Sequence, residues 1–130
     1  ETGVVSDSPE KQGRVIHVNT LNKNESIFDI APEALYELKP IIQNSGTILW
    51  NGPIGFFEKE NFARGTQMIA DMIVSSKSFS VLGGGDTIAA AQKAGVIDKI
   101  DYVSTAGGAF LEFMEGKKLP AVEALMDKFN

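Results

Sequence analysis

The sequence predicts an α/β fold built on a doubly wound parallel sheet, and the prediction rests on one pattern met three times. A short, apolar, β-prone run stops at a glycine-rich turn, and a helix-like pattern follows. The runs are Thr47-Ile48-Leu49-Trp50, Phe79-Ser80-Val81-Leu82 and Asp101-Tyr102-Val103. The turns after them are Asn51-Gly52-Pro53-Ile54-Gly55, Gly83-Gly84-Gly85-Asp86-Thr87 and Ser104-Thr105-Ala106-Gly107-Gly108. Runs of that length and polarity suit buried strands. Parallel strands joined by right-handed helical crossovers place their turns at one edge of the sheet. Glycine lets backbone N–H groups approach an anion, and a helix N-terminus adds unpaired donors and a favourable dipole. Three such turns converging argue for a phosphate-rich ligand.

The elements follow in order. Residues 4–30 read as irregular β structure: Val4-Val5 suits a strand, Arg14-Val15-Ile16-His17-Val18 another, and Ser26-Ile27-Phe28-Asp29 a short third. The polar stretch 6–13 reads as a turn or surface loop. His17, the only histidine, sits between Ile16 and Val18 and reads as a strand-face residue rather than a base or ligand. Pro32 opens a helix, where its missing N–H costs nothing. Leu35, Leu38 and Ile42 mark one face of that helix, but Pro40 interrupts it, so a kinked or two-piece helix is expected. A second helix is expected over residues 61–75, with Phe62, Thr66, Ile69 and Ile73 along one side and Ala70 beside them. A third starts at Asp86 as N-cap, carries Ala89, Ala90, Ala91 and Ala94 against the sheet, and stops at Gly95. A fourth runs from about Gly107 to Gly116 with Phe110, Leu111 and Met114 facing the core. Pro120 opens the last, whose stripe is Val122, Leu125, Met126 and Phe129.

Composition bounds what such a chain can do. Its 130 residues make one domain or part of one, with 43% hydrophobic and 22% charged residues, the balance of a soluble globular protein. Seventeen acidic against twelve basic residues leave a net charge of −5, which with no Lys/Arg cluster argues against a nucleic-acid partner. The absence of cysteine excludes a disulfide scaffold and thiolate metal sites. No apolar run approaches the roughly 20 residues of a membrane span, and no signal peptide is visible. Glu1-Thr2-Gly3 lacks an initiator methionine, so the chain reads as a fragment in which residues 1–3 are candidates for appended residues.

Each turn carries two readings. In residues 83–87, Asp86 is either a helix N-cap or a magnesium ligand, and Thr87 offers a hydroxyl and an N–H in the first helical turn. No Gly-Lys-Ser/Thr follows, so this is not a Walker A loop. Residues 104–108 repeat the layout without a carboxylate; their glycines serve either an anion or close packing of a helix on the sheet. Glu112 and Glu115 on the helix beyond read as solvated or paired charges. In residues 51–58, Pro53 stiffens the loop, Phe56 and Phe57 supply apolar surface, and Asn51 and Glu58 are polar handles. That combination suits a nucleoside, with flat contact for a base and acceptors for ribose hydroxyls. The alternative makes both aromatics core and Glu58 an exposed charge.

Taken together the motifs resemble the phosphoglycerate kinase family. They are Trp50-Asn51-Gly52-Pro53-x-Gly55-x-Phe57-Glu58, Gly83-Gly84-Gly85-Asp86-Thr87 and Ser104-Thr105-x-Gly107-Gly108-Ala109-x-Leu111-Glu112, then Glu115-Gly116-Lys117 and Leu119-Pro120. Asp29-Ile30-x-Pro32 fits the family's Asp-x-Gly-Pro segment. The resemblance covers about residues 4–129 and implies part of a Rossmann-like, three-layer α/β/α C-terminal nucleotide-binding domain. It implies reversible phosphoryl transfer between 1,3-bisphosphoglycerate and Mg-ADP, giving 3-phosphoglycerate and ATP, a cytoplasmic glycolytic step with Mg2+ as cofactor.

By the same resemblance Asn51 and Pro53 border the nucleotide, and Glu58 holds the ribose hydroxyls. Gly84 and Gly85 shape the phosphate turn, Asp86 binds the Mg2+–nucleotide, and Thr87 touches phosphate. Gly107 and Gly108 lie at the helix end facing the transferring phosphoryl group. The family's N-terminal domain, whose basic patch holds phosphoglycerate, is missing, as are its phosphate-binding lysines and part of the adenine pocket. The isolated chain is therefore expected to be inactive, and bared strand edges and helix faces to make it self-associate. The other reading is a non-catalytic binding module derived from the kinase domain. Ala106 and Ala31 replace family glycines; a positive φ at Ala106 would strain the third turn or reshape it.

Overall fold

In the computed structural model, which describes residues 2–128, the three expected strands form one parallel sheet. Strands β4 (Thr47–Asn51), β5 (Phe79–Gly83) and β6 (Tyr102–Ser104) lie side by side in that order. Trp50 stands opposite Leu82, and Leu82 opposite Val103, so these three share one face. Helices α1 (Pro32–Asn44), α2 (Arg64–Ser75) and α3 (Gly85–Lys93) supply Leu35, Ile69, Ala70, Met72, Ile73 and Ala91 to the core against that face. The alanines of α3 behave as expected at Ala90 and Ala91, which are buried, while Ala89 faces solvent.

Asp101 locks β6 to β5 at the start of the strands. Its Oδ2 accepts from the N–H and the hydroxyl of Ser80, both at 2.7 Å, and its own N–H donates to Ser80 Oγ at 3.0 Å. The Ser80 bonds, the backbone N–H first, hold the Asp101 carboxyl below the usual carboxylate range. A slip of β6 by one residue would break all three.

Among the described residues the opposite face of the sheet receives only α4 (Gly108–Met114), whose Phe110 ring lies where a side chain on Gly83 would project. The rest of that face is open: Leu49, Phe79 and Tyr102 are 42%, 52% and 55% exposed. Helices therefore flank both faces, as a doubly wound sheet requires, but the second layer is incomplete in this chain. The same incompleteness overturns two expectations about the core. Of the α4 residues only Phe110 is buried, while Leu111 and Met114 are exposed. In α5 (Pro120–Met126) the stripe forms but Val122, Leu125 and Met126 remain exposed among the described residues; Phe129 lies outside them.

Residues 2–30 are more regular than their sequence suggests. Strands β1 (Thr2–Ser6), β2 (Arg14–His17) and β3 (Ser26–Ile30) form an antiparallel sheet with β1 central. Thr2 and Gly3 pair with His17 and Ile16. Val18 leaves the strand for a 3₁₀ turn that His17 caps through Nδ1, 3.5 Å from Asn19 N. His17 is exposed and has no chemical partner beyond that cap.

Three helix boundaries differ from expectation for local reasons. Helix α1 continues unbroken through Pro40. The hydrogen bond that Pro40 forfeits would have gone to the carbonyl of exposed Tyr36, which water can satisfy. The following turn is tied by Asn44 Nδ2 to Pro40 O and Ser45 Oγ to Ile41 O, both 2.8 Å. On this helix Leu38 is exposed, and Leu35 carries the burial. Helix α2 starts at Arg64, because residues Glu60–Phe62 form a separate 3₁₀ turn that buries Phe62. Helix α3 is capped by Gly84 and not by Asp86.

The two sheet faces make a direct prediction. Leu82→Ala empties a fully buried site and should cost about 2–5 kcal/mol. Leu49→Ala, on the open face, should change stability by about 0.5 kcal/mol or less. Urea unfolding of both variants checks this, and equal losses would contradict the open face.

Candidate functional site

Register places the three turns together. Asn51 and Ser104 flank Gly83 on either side at the C-terminal ends of the three parallel strands, so each turn leaves the sheet at the same level. The crevice outside the carboxyl ends of parallel strands is where open α/β sheets bind ligands.

The glycines of the second turn do three different things. Gly83 gives way to the Phe110 ring, since a Cβ there would come within 2.4 Å of it. Gly84 adopts φ +92°, and a Cβ would sit 3.3 Å from Thr87 Oγ1 and 3.5 Å from Asn51 Nδ2. Gly85 faces open space, as do Gly52, Gly107 and Gly108. Four glycines from three turns thus present backbone that no neighbouring atom crowds. An anion can approach all of them closely.

Asp86 is exposed in the first turn of α3, and among the described residues its carboxylate accepts no hydrogen bond. The N-cap role that sequence offered it belongs to Gly84, which leaves the carboxylate free. A magnesium ion usually takes one or two carboxylates and completes its shell with substrate phosphates and water. A single free carboxylate beside uncrowded glycine backbone fits that donor set. The described residues hold no cluster of three or more His, Asp or Glu that could cage a metal without a substrate. No lysine or arginine occurs within residues 51–55, 83–87 or 104–108.

Thr87 joins the first two turns. It is 1% exposed, and its Oγ1 accepts from Gly52 N at 2.7 Å. Its hydroxyl therefore serves the architecture, while its N–H lies in the first turn of α3. Further bonds hold the loop 51–58 along its length. Trp50 Nε1 donates to Gly52 O at 2.9 Å. Thr66 Oγ1 accepts from Ile54 N at 3.1 Å and donates to Ile54 O. Phe56 N donates to Phe28 O at 2.7 Å, and Lys93 Nζ donates to Phe57 O at 2.6 Å and Glu58 O at 3.1 Å. Pro53 is half-buried within this loop, and Glu58 at its end is exposed. Phe57 is buried, so it belongs to the core and offers no flat surface to a base; Phe56 is half-buried and stacks near Phe28 at 6.2 Å between centroids.

Asp29 lies against the loop at Gly55 and ties β3 to the start of α2. It is 3% exposed; Oδ2 accepts from Gly65 N and Oδ1 from Ile30 N, both at 2.8 Å. A Cβ on either Gly55 or Gly65 would strike its carboxylate. Burial pushes the Asp29 carboxyl up, against the pull of those two N–H donors.

The third turn accommodates Ala106 without strain, because no residue other than glycine has positive φ and Gly107 takes the left-handed position at φ +58°. Ser104 Oγ accepts from Ala106 N at 3.4 Å. Buried Ala31 likewise sits in extended backbone ahead of Pro32.

A family profile described as phosphoglycerate kinase matches residues 2–117. The chain belongs to the phosphoglycerate kinase family. The solved phosphoglycerate kinase from Coxiella burnetii is 45% identical with a TM-score of 0.88, over 94% of this chain and 32% of that one. The phosphoglycerate kinase from Pyrococcus horikoshii OT3 is 37% identical with a TM-score of 0.81, over 96% and 31%. The chain thus spans about a third of each kinase's length.

Within this kinase segment, sequence reasoning named the residues at the ligand edge but not the supports behind them. Thr66 was legible as a polar residue on the apolar side of α2, which needs a partner when buried. Lys93 carried no reading in the sequence, and the contact of Asp29 with Gly55 and Gly65 shows only in the fold.

The Thr87 bond is testable by stability. Thr87→Val keeps the shape but leaves Gly52 N without its acceptor, and should cost about 1–3 kcal/mol. Thr87→Ser should lose less. Wild-type stability for Thr87→Val in urea unfolding would show that the bond does not hold the turns together.

Proposed function

We propose that this chain is the part of a phosphoglycerate kinase that receives Mg-nucleotide at the ends of β4, β5 and β6. The parent reaction is reversible phosphoryl transfer between 1,3-bisphosphoglycerate and Mg-ADP, giving 3-phosphoglycerate and ATP, a glycolytic step of the cytoplasm. One observation carries the reading: three in-register strand ends whose glycines open onto a common edge beside a free carboxylate.

In this reading Asn51 and Pro53 border the nucleotide, and Glu58 accepts from the ribose hydroxyls. Gly84 and Gly85 admit phosphate oxygens to backbone N–H groups, and Thr87 adds its own N–H. Asp86 holds Mg2+, which neutralises phosphate charge when bound. Gly107 and Gly108 face the transferring phosphoryl group, where backbone donors stabilise charge spread over its oxygens. No nucleic acid or membrane takes part; among the described residues no helix is long and apolar enough to cross a bilayer.

Asp86 supplies the sharpest test in the full-length kinase. Asp86→Asn should remove most turnover while leaving folding nearly intact, since the cap it would disturb is provided by Gly84. Near-normal activity in a coupled assay would sink the metal assignment.

A second reading, a non-catalytic module derived from the kinase, draws on the absence of Lys or Arg in all three turns and on the open sheet face. Both readings lead to the same expectation for the isolated 130-residue chain. It holds only part of the nucleotide and has no basic site for phosphoglycerate, so the two reactants are not placed in line. It should show no turnover, and should self-associate through the face bearing Leu49, Phe79 and Tyr102. Turnover that copurifies with the chain and vanishes in Asp86→Asn would overturn the first expectation; a monomer in sedimentation at high concentration would overturn the second. A reading frame of this length with its own start would favour the module, and a long upstream coding region the kinase.

A further inference from the structure

Helix α3 touches the proposed nucleotide site at both ends. Its first turn carries Asp86 and Thr87, and its last residue, Lys93, reaches the far end of the loop 51–58. There Lys93 Nζ donates to two successive carbonyls, Phe57 O at 2.6 Å and Glu58 O at 3.1 Å. From Asp86 to Lys93 the helix rises seven residues at about 1.5 Å each, a rigid spacer of about 10 Å. The Glu58 side chain is exposed and takes no hydrogen bond or ion pair from the described residues, so its backbone alone sets where its carboxylate can point. Lys93 bonds the carbonyls and not the carboxylate, which leaves the carboxylate free to accept from a ligand.

We infer that Lys93 is a positioning residue that holds Glu58 at a fixed distance from Asp86, matching the site to the span from ribose hydroxyls to metal-bound phosphates. The inference rests on the reading of Glu58 as the ribose ligand and adds the residue that makes the contact rigid. Without the clamp, Glu58 must be ordered by the nucleotide itself, and that ordering subtracts from binding. The effect should fall on nucleotide affinity and on recognition of the 2′-hydroxyl, and spare the phosphoryl-transfer step.

The test is steady-state kinetics of the full-length kinase with Mg-ATP and Mg-2′-dATP, in four forms: Lys93→Met, Lys93→Arg, Glu58→Ala, and Lys93→Met with Glu58→Ala. Lys93→Met should raise the KM for Mg-ATP about tenfold with kcat within about twofold, and should shrink the preference for the ribo form. Lys93→Arg, which can still donate to both carbonyls, should recover part of that preference. Adding Lys93→Met to Glu58→Ala should change little further, because both act on one contact. Equal effects of Lys93→Met on ribo and deoxy forms, or an undiminished effect in the Glu58→Ala background, would overturn the inference and leave Glu58 in its role. An unchanged ribo preference in Glu58→Ala would instead remove the ribose reading, and the inference with it. Should Lys93→Met fold poorly, Lys93→Gln, which keeps a shorter donor, gives the same comparison.

Discussion

The register of the parallel sheet is the constraint on which the site depends. Asn51 and Ser104 stand level with Gly83 only because β4, β5 and β6 pair without a slip. A one-residue shift would turn Trp50, Leu82 or Val103 away from the helices and carry its turn out of line with the other two. Burial of those side chains therefore also aligns the turns. Asp101 adds a polar lock at the far end, with three bonds to Ser80 that no slipped pairing could satisfy. Core packing and ligand geometry are here two consequences of one pairing.

Beyond the sheet, the structure invests heavily in a single loop. Residues 51–58 are held by the Trp50 indole, by the Thr87 hydroxyl and the Lys93 ammonium from the two ends of α3, by Thr66 from α2, and by the Phe28 carbonyl of β3. Asp29 lies against two glycines, Gly55 and Gly65, that admit its carboxylate. Burying a carboxylate there is costly, and burial does raise its proton affinity. Loops near a ligand are usually the mobile part of an α/β domain. This one is bonded along its length, which suits the proposed role of placing a reactant accurately.

Much of this was legible in the sequence because glycine placement and apolar runs are local signals. The strands β4 to β6, the turns after them and the stop of α3 at Gly95 follow from residue type alone. What was not legible depended on neighbours. Pro40 reads as a break, yet the helix tolerates it where an exposed carbonyl can turn to water. Asp86 reads as a cap, yet Gly84, at φ +92°, takes that position and the helix starts two residues earlier than an Asp86 cap would allow. Leu111 and Met114 read as core and Leu125 as part of an apolar stripe, and their periodicity is real. All three are exposed among the described residues. Single-sequence periodicity reports that a face is apolar and says nothing about which partner covers it.

The central claim is that the three strand ends form one nucleotide site. Hydrogen exchange of the full-length kinase, compared with and without Mg-ADP, tests it most directly. The account predicts slowed exchange in residues 51–58, 84–87 and 106–108 together, with the Asp86→Asn protein losing the magnesium-dependent part. Slowing confined to other parts of this segment, with the three turns unchanged by Mg-ADP, would contradict it.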